Sequence, residues 1–188
     1  MNKKLLIFDL DETLVYASTV SLARAPDFEV GPYAVYKRPY VDELIAFCTE
    51  HFRIAVWTSS TENYAAGVVR ALFARGEALE FVFARKRCVQ RFDPESQDYF
   101  YIKDLRKVKA RGFVLEDIII LDDTPQKLIR NYGNLVRMTE WTGDLADREL
   151  AQVQGLLLEL KEVPNVRKVE KRGWLRRHGE HRGQTTFA

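Results

Sequence analysis

The chain has 188 residues, of which 46% are hydrophobic and 30% charged, which fits one ordinary globular domain with a sizeable core and leaves little room for a second. Its formal net charge of +2 creates no strong overall field, so composition alone does not point to nucleic acid or to a membrane surface. The two cysteines, Cys48 and Cys88, cannot supply a disulfide framework, and the first residues lack the pattern of a leader or a membrane span, so a reducing, cytoplasmic setting is expected, or a nuclear one in a eukaryote.

In chain order, LLIFDL (5–10) reads as a buried strand, and residues 26–38, with Pro, Gly and apolar residues at Phe28, Val30 and Val35, as a hairpin or flap. A helix is expected over about 40–51, with Pro39 in its first turn, where a missing N–H costs nothing. RIAVWT (53–58) is a second strand, followed by a helix over 61–74 for which Ser59 and Glu62 form a capping box. Residues 80–102 read as a second hairpin with FDPESQD as its polar turn. IIIL (118–121) and LVRM (135–138) are further strands, with a short helix after Pro125 and a longer one over 145–161. Apolar runs alternating with helical patterns define an α/β, Rossmann-like fold with a mostly parallel central sheet. The basic stretch from 169 to 188 lacks periodicity and is expected to be a poorly ordered tail, either a solvated terminus or an arm for nucleic acid or an acidic partner.

Parallel strands joined by right-handed crossovers put their carboxyl ends on one edge, where ligands bind. That edge would gather Asp9 and Asp11 from the first strand, Thr58 and Ser59 from the second, Asp122 and Asp123 from the third, and Lys103 after the FYI run. Four crowded carboxylates require a compensating cation, and magnesium, a hard ion that prefers oxygen ligands, suits them. An ionised Asp can attack phosphorus, and a second Asp two residues on can protonate the leaving oxygen and later activate water. Thr58, Ser59 and Lys103 would hold phosphate oxygens. A calcium loop counted from Asp9 fails, because Leu14 stands where Gly is needed and Val20 where the closing Glu belongs. Each piece alone has an ordinary explanation as a turn, a cap or a surface lysine; their joint order at strand ends carries the weight. Cys48 with His51, and His178 with His181, have poor spacing for zinc.

LLIFDLDETLV, AVWTSS, YIKDL and IIILDDTP resemble, in order and spacing, the signature motifs of the haloacid dehalogenase superfamily. More narrowly, residues 3–168 resemble the NLI-interacting-factor-like small phosphatases of the RNA polymerase II carboxy-terminal domain, with KRPYVDEL, RKRC and EWTGDLADREL included. The resemblance implies a phosphatase domain over 1–168, with Asp9 as nucleophile and magnesium ligand and Asp11 as acid/base offering its backbone carbonyl to the metal. It further implies phosphate contacts from Thr58 and Lys103, metal ligation by Asp123 beside Asp122, and an arginine near the substrate at Arg85. Residues 13–39 have room for a flap but not for a cap domain, so the mouth should be open to a phosphoserine or phosphothreonine side chain on a protein. Phe28, Val30, Val35 and Tyr36 could wall that mouth or simply pack the flap. Alternatives are a phosphatase of small phosphoesters and a non-catalytic binding module of the same fold; a receiver domain would place its acidic groups in a different order.

Overall fold

The computed structural model describes residues 3–95 and 97–179. In chain order its elements are strands Leu5–Phe8 (β1), Val15–Ser18 (β2), Phe28–Val30 (β3) and Tyr33–Lys37 (β4), helix Val41–His51 (α1), strand Arg53–Trp57 (β5) and helix Glu62–Leu72 (α2). Strands Leu79–Phe83 (β6), Val89–Asp93 (β7) and Asp98–Ile102 (β8) follow, then helix Arg106–Lys109 (α3). Strands Ile118–Asp122 (β9) and Leu135–Arg137 (β10) precede helices Glu149–Glu162 (α4) and Trp174–Gly179 (α5).

The central sheet has five strands in the order β10-β9-β1-β5-β6, and every pairing in it is parallel. Its strands read as unbroken apolar runs because both faces are covered. Leu6, Phe8, Ile54, Val56, Ile119 and Leu121 point to one face and pack beneath α1, α2 and α4. Leu5, Ile7, Ala55, Trp57, Ile118 and Ile120 point to the other, under α3 and its neighbouring loops. At the usual ~25 cal/mol per Å² of apolar surface, this two-sided burial is the main source of stability. No helix among the described residues is long and apolar enough to cross a membrane.

The architecture is the expected α/β one, with local corrections. Residues 79–83 form a fifth parallel strand rather than part of the second hairpin, which is confined to β7 and β8. As an edge strand, β6 buries Phe81 and Phe83 and exposes Val82, an alternation that hairpin arms share. The turn proposed for that hairpin includes Ser96, which lies outside the described residues. The flap is a three-stranded sheet, β2-β4-β3, because β2 pairs with β4. α1 starts at Val41 after Tyr40, which takes a left-handed φ of 67°, so Pro39 lies ahead of the helix and not in its first turn. The turn after Pro125 is 3₁₀ rather than α. α4 begins only at Glu149, and the residues before it place Asp147 against Arg38.

The largest difference concerns the segment after 168. Trp174 is only 3% exposed, packs with the core under α4, and donates its indole N–H to the Arg137 carbonyl at 2.8 Å. Residues 169–179 are therefore folded onto the domain; a buried tryptophan outweighs the lack of helical periodicity around it. Residues 180–188 of the expected tail, His181 among them, lie outside the described residues.

Candidate active site

Asp9 follows β1 directly, and its N–H still bonds the Leu121 carbonyl at 3.0 Å, so its position is set by the sheet. The chain then turns sharply. The Leu10 carbonyl accepts from the N–H groups of Leu14 and Val15 at 2.8 and 3.1 Å, and Glu12 takes a left-handed φ of 57°. A left-handed conformation at a residue with a side chain is costly and persists only where its surroundings impose it. Here the Glu12 N–H and carbonyl are both tied down, to the Val15 carbonyl and the Trp141 N–H.

Two lysines meet the carboxylates. Lys103 Nζ lies 2.9 Å from Asp9 Oδ1 and 2.6 Å from Asp122 Oδ2, and all three residues are buried. Lys127 Nζ lies 2.7 Å from Asp9 Oδ2 and 3.4 Å from both Asp122 and Asp123. Burial alone would raise the Asp9 carboxyl, but the two ammonium groups outweigh it and hold Asp9 below the ordinary carboxylate range. Burial and the neighbouring charge of Asp9 push Asp122 upward. Burial acts on Lys127 in the opposite sense, and the surrounding carboxylates overcome it, so its ammonium stays charged.

Asp11 is held separately. Its two carboxylate oxygens accept from the Tyr64 hydroxyl at 2.5 Å and the Ser60 hydroxyl at 2.6 Å, with the Thr58 hydroxyl at 3.5 Å. Burial raises its pKa against the lowering effect of those hydroxyls. Asp123 accepts from Thr124 Oγ1 at 2.8 Å and neighbours Thr13 Oγ1 at 3.4 Å. α2 carries Tyr64, and Gly67 on the same helix lets the flap approach: a Cβ there would lie 2.6 Å from a Val30 methyl. Tyr33 of β4 meets Tyr64 edge-on, with ring centroids 5.5 Å apart.

Of the residues expected at this edge, Asp9, Asp11, Thr58, Lys103, Asp122 and Asp123 are brought together. Ser59 is not drawn in by its hydroxyl; its carbonyl accepts from Arg85 Nε at 2.7 Å, which places Arg85 at the rim. The capping box is absent, since α2 is capped at Thr61 without a side-chain bond. Val35 and Tyr36 are fully buried and pack the flap rather than wall the mouth.

Sequence reasoning missed Lys127, Ser60 and Tyr64. Lys127 was legible in principle, because it stands four residues past Asp123 across a helical turn. Ser60 and Tyr64 carried no comparable signal.

One oxygen each from Asp9, Asp122 and Asp123 lie within 4.8 Å of one another, a grouping that could hold a metal. Asp9 Oδ1 is buried and, despite the nearby Lys103, has no donor aligned with it among the described residues. Asp9, Asp11, Asp122 and Asp123 outnumber Lys103 and Lys127, and burial together with Asp11 and Asp123 lifts the neighbouring Glu12 to about 7. An all-oxygen donor set with an unsatisfied atom and surplus negative charge fits magnesium.

A family model for NLI interacting factor-like phosphatase matches residues 4–167, and the chain belongs to that family. A Dictyostelium discoideum protein described as a "Probable C-terminal domain small phosphatase" is 32% identical over 174 residues, covering 88% of this chain and 53% of that protein. The Caenorhabditis elegans CTD small phosphatase-like protein 1 is 35% identical over 160 residues, covering 81% of this chain and 30% of the relative. The chain thus spans about half or less of the length of these relatives. The fission yeast RNA polymerase II CTD phosphatase Fcp1, solved with beryllium fluoride, shares the fold at a TM-score of 0.56 and 18% identity, over 85% of this chain and 51% of that one.

Proposed function

We propose that the chain is a magnesium-dependent phosphomonoesterase that forms an aspartyl-phosphate on Asp9 and acts on phosphoserine or phosphothreonine in proteins. The observation that carries this reading is the pairing of a buried Asp9, kept ionised by Lys103 and Lys127, with a separately held Asp11 two residues away. A carboxylate oxygen of Asp9 attacks phosphorus and the ester oxygen departs, taking its proton from Asp11. Water then attacks the same phosphorus, gives a proton to Asp11 and releases phosphate, which restores Asp9. Lys103 and Thr58 supply positive charge and a hydroxyl for the remaining phosphate oxygens, and Arg85 lies at the rim for the substrate.

Asp9, Asp123 and Asp122, with the Asp11 backbone carbonyl, would hold magnesium. Bound there, the ion would offset the negative charge of nucleophile and phosphate. Ser60 and Tyr64 fix the orientation of Asp11, and through Tyr33 that support reaches the flap.

Two observations support a protein substrate. Between β1 and α1 the chain builds only the three-stranded flap, which leaves the mouth accessible to a side chain on a large partner. The relatives carry names of C-terminal-domain phosphatases. Free thiols at Cys48 and Cys88 suit the reducing compartment we propose for it.

The test is a panel of phosphopeptides and small phosphoesters assayed with and without magnesium, with beryllium fluoride as inhibitor. Magnesium-dependent turnover that favours phosphopeptides and is blocked by beryllium fluoride is expected. Faster turnover of small phosphoesters would defeat the substrate assignment, and no turnover of any ester would defeat the enzyme.

A further inference from the structure

The basic segment after 168 does more than cover the core. Folded back against β10, the edge strand of the sheet, it encloses a groove of about 870 Å³. Val169 and Leu175 give the groove an apolar lining, and Arg137 from β10 with Arg167 and Lys168 from the preceding 3₁₀ turn give it exposed cations.

The charges in this groove are not balanced. Among the described residues, Arg137, Arg167 and Lys168 form no ion pair; of the lining acids, Glu170 and Glu149 are engaged by Arg172 and Arg38, which leaves Glu140 alone against these three cations. Lys171 adds a further cation: it is 8% exposed, its ammonium donates to the Val166 and Val169 carbonyls at 2.6 and 2.9 Å, and it forms no ion pair among the described residues, although the charge of Glu170 acts on it. An anionic ligand would offset this excess of positive charge along the groove. Beside the groove, a smaller depression lined by Arg172, Gly173, Arg176 and Arg177 continues the basic face.

We propose that this groove docks an acidic peptide segment of a partner protein, with carboxylates on Arg137, Arg167 and Lys168 and an apolar side chain against Val169 and Leu175. A peptide fits better than nucleic acid. The groove is concave with an apolar lining, and Trp174 is buried and offers no ring for base stacking. The groove shares no lining residue with the carboxylate cluster, and its occupancy can be read without any catalytic assumption.

The experiment is fluorescence anisotropy with the full chain and a labelled peptide of glutamates and two leucines, against a matched peptide with glutamine in place of glutamate. We expect the acidic peptide to bind at least about tenfold more tightly than its neutral counterpart, and more weakly as salt rises. The combined Arg137→Glu, Arg167→Glu, Lys168→Glu variant should lose at least about tenfold in affinity, while Arg137→Lys with Arg167→Lys keeps binding within about threefold. These side chains are exposed and form no ion pair among the described residues, so the fold should survive; if the triple variant does not fold, the single Arg167→Glu variant is read in the same titration and should bind more weakly. Equal binding of both peptides, or reversal variants that fold and bind unchanged, would overturn the proposal. So would tighter binding of a single-stranded RNA than of the peptide, or displacement of the probe by a peptide of residues 180–188.

Discussion

Two buried charge clusters flank the loop after β1, and they are built in opposite ways. In the first, Arg38 is fully enclosed, bonded to Asp147 at 3.0 and 2.8 Å, to Glu149 at 2.6 Å, and to the Thr13 and Thr139 carbonyls at 3.2 and 3.1 Å. Its charge and its donors are satisfied by the protein itself. In the second, Asp9, Asp122 and Asp123 face Lys103 and Lys127 with negative charge left over and one buried oxygen without an aligned donor. Buried polar groups are satisfied as a rule, so an exception marks a place where something else binds. The closed cluster holds the loop in place; the open one is where chemistry is available.

The largest effect that would sharpen this contrast comes from Asp9→Asn. Turnover of a phosphopeptide should fall by about 10⁴-fold or more while the protein stays folded by circular dichroism, as expected when an acting nucleophile is removed. Turnover that survives the change would break the assignment. Chelation of divalent ions should act on the same cluster: activity lost in excess chelator and restored by magnesium, read in the same assay, is the expected result.

Arg38→Ala tests the closed cluster. Stripping the guanidinium from Asp147 and Glu149 should cost about 3 kcal/mol of unfolding free energy, measured by urea titration, because it leaves the buried Glu149 carboxylate and the half-buried Asp147 uncompensated. A loss under about 1 kcal/mol would mean that the cluster does not hold the loop.

Tyr64→Phe should lower kcat/KM by about 10²-fold for alkyl phosphates, whose departing oxygen needs a proton, and far less for an aryl phosphate with a good leaving group. Equal losses on both would make Tyr64 merely structural.

The smallest effect concerns Asp104. Hydrogen bonds from Arg106 lead in holding its carboxyl well below the ordinary range, against burial and with help from Arg130. A depressed carboxyl stabilises the fold above its unfolded pKa of about 3.9 and loses that contribution as pH falls further. Asp104→Asn should therefore be slightly less stable than the parent at pH 6, with the gap narrowing toward pH 2 in parallel thermal melts. A gap that stays constant with pH would remove the ion pair as its cause.

Much of this was legible beforehand, for identifiable reasons. A strand buried on both faces must be apolar throughout, so β1, β5, β9 and β10 were visible as runs, and parallel connection makes the residues after them share an edge. Asp9, Asp11, Thr58 and Asp122 could be placed together on that ground, although nothing local showed that they touch. β6 was hidden because a one-sided edge strand alternates as a hairpin arm does. Tyr64 and Ser60 were hidden because their partner, Asp11, lies 53 and 49 residues away along the chain.

By itself the sequence determined the order of strands and helices and the types of chemical group delivered to the sheet edge, because these depend on hydrophobic pattern and on connection rules that operate along the chain. Only the tertiary structure decided which charges would be balanced. The pairing of Lys127 with Asp9, the enclosure of Arg38, and the folding of Trp174 beside a groove rich in cations each depend on distances between segments far apart in sequence. Ion pairing and desolvation act through space, and no local pattern records them.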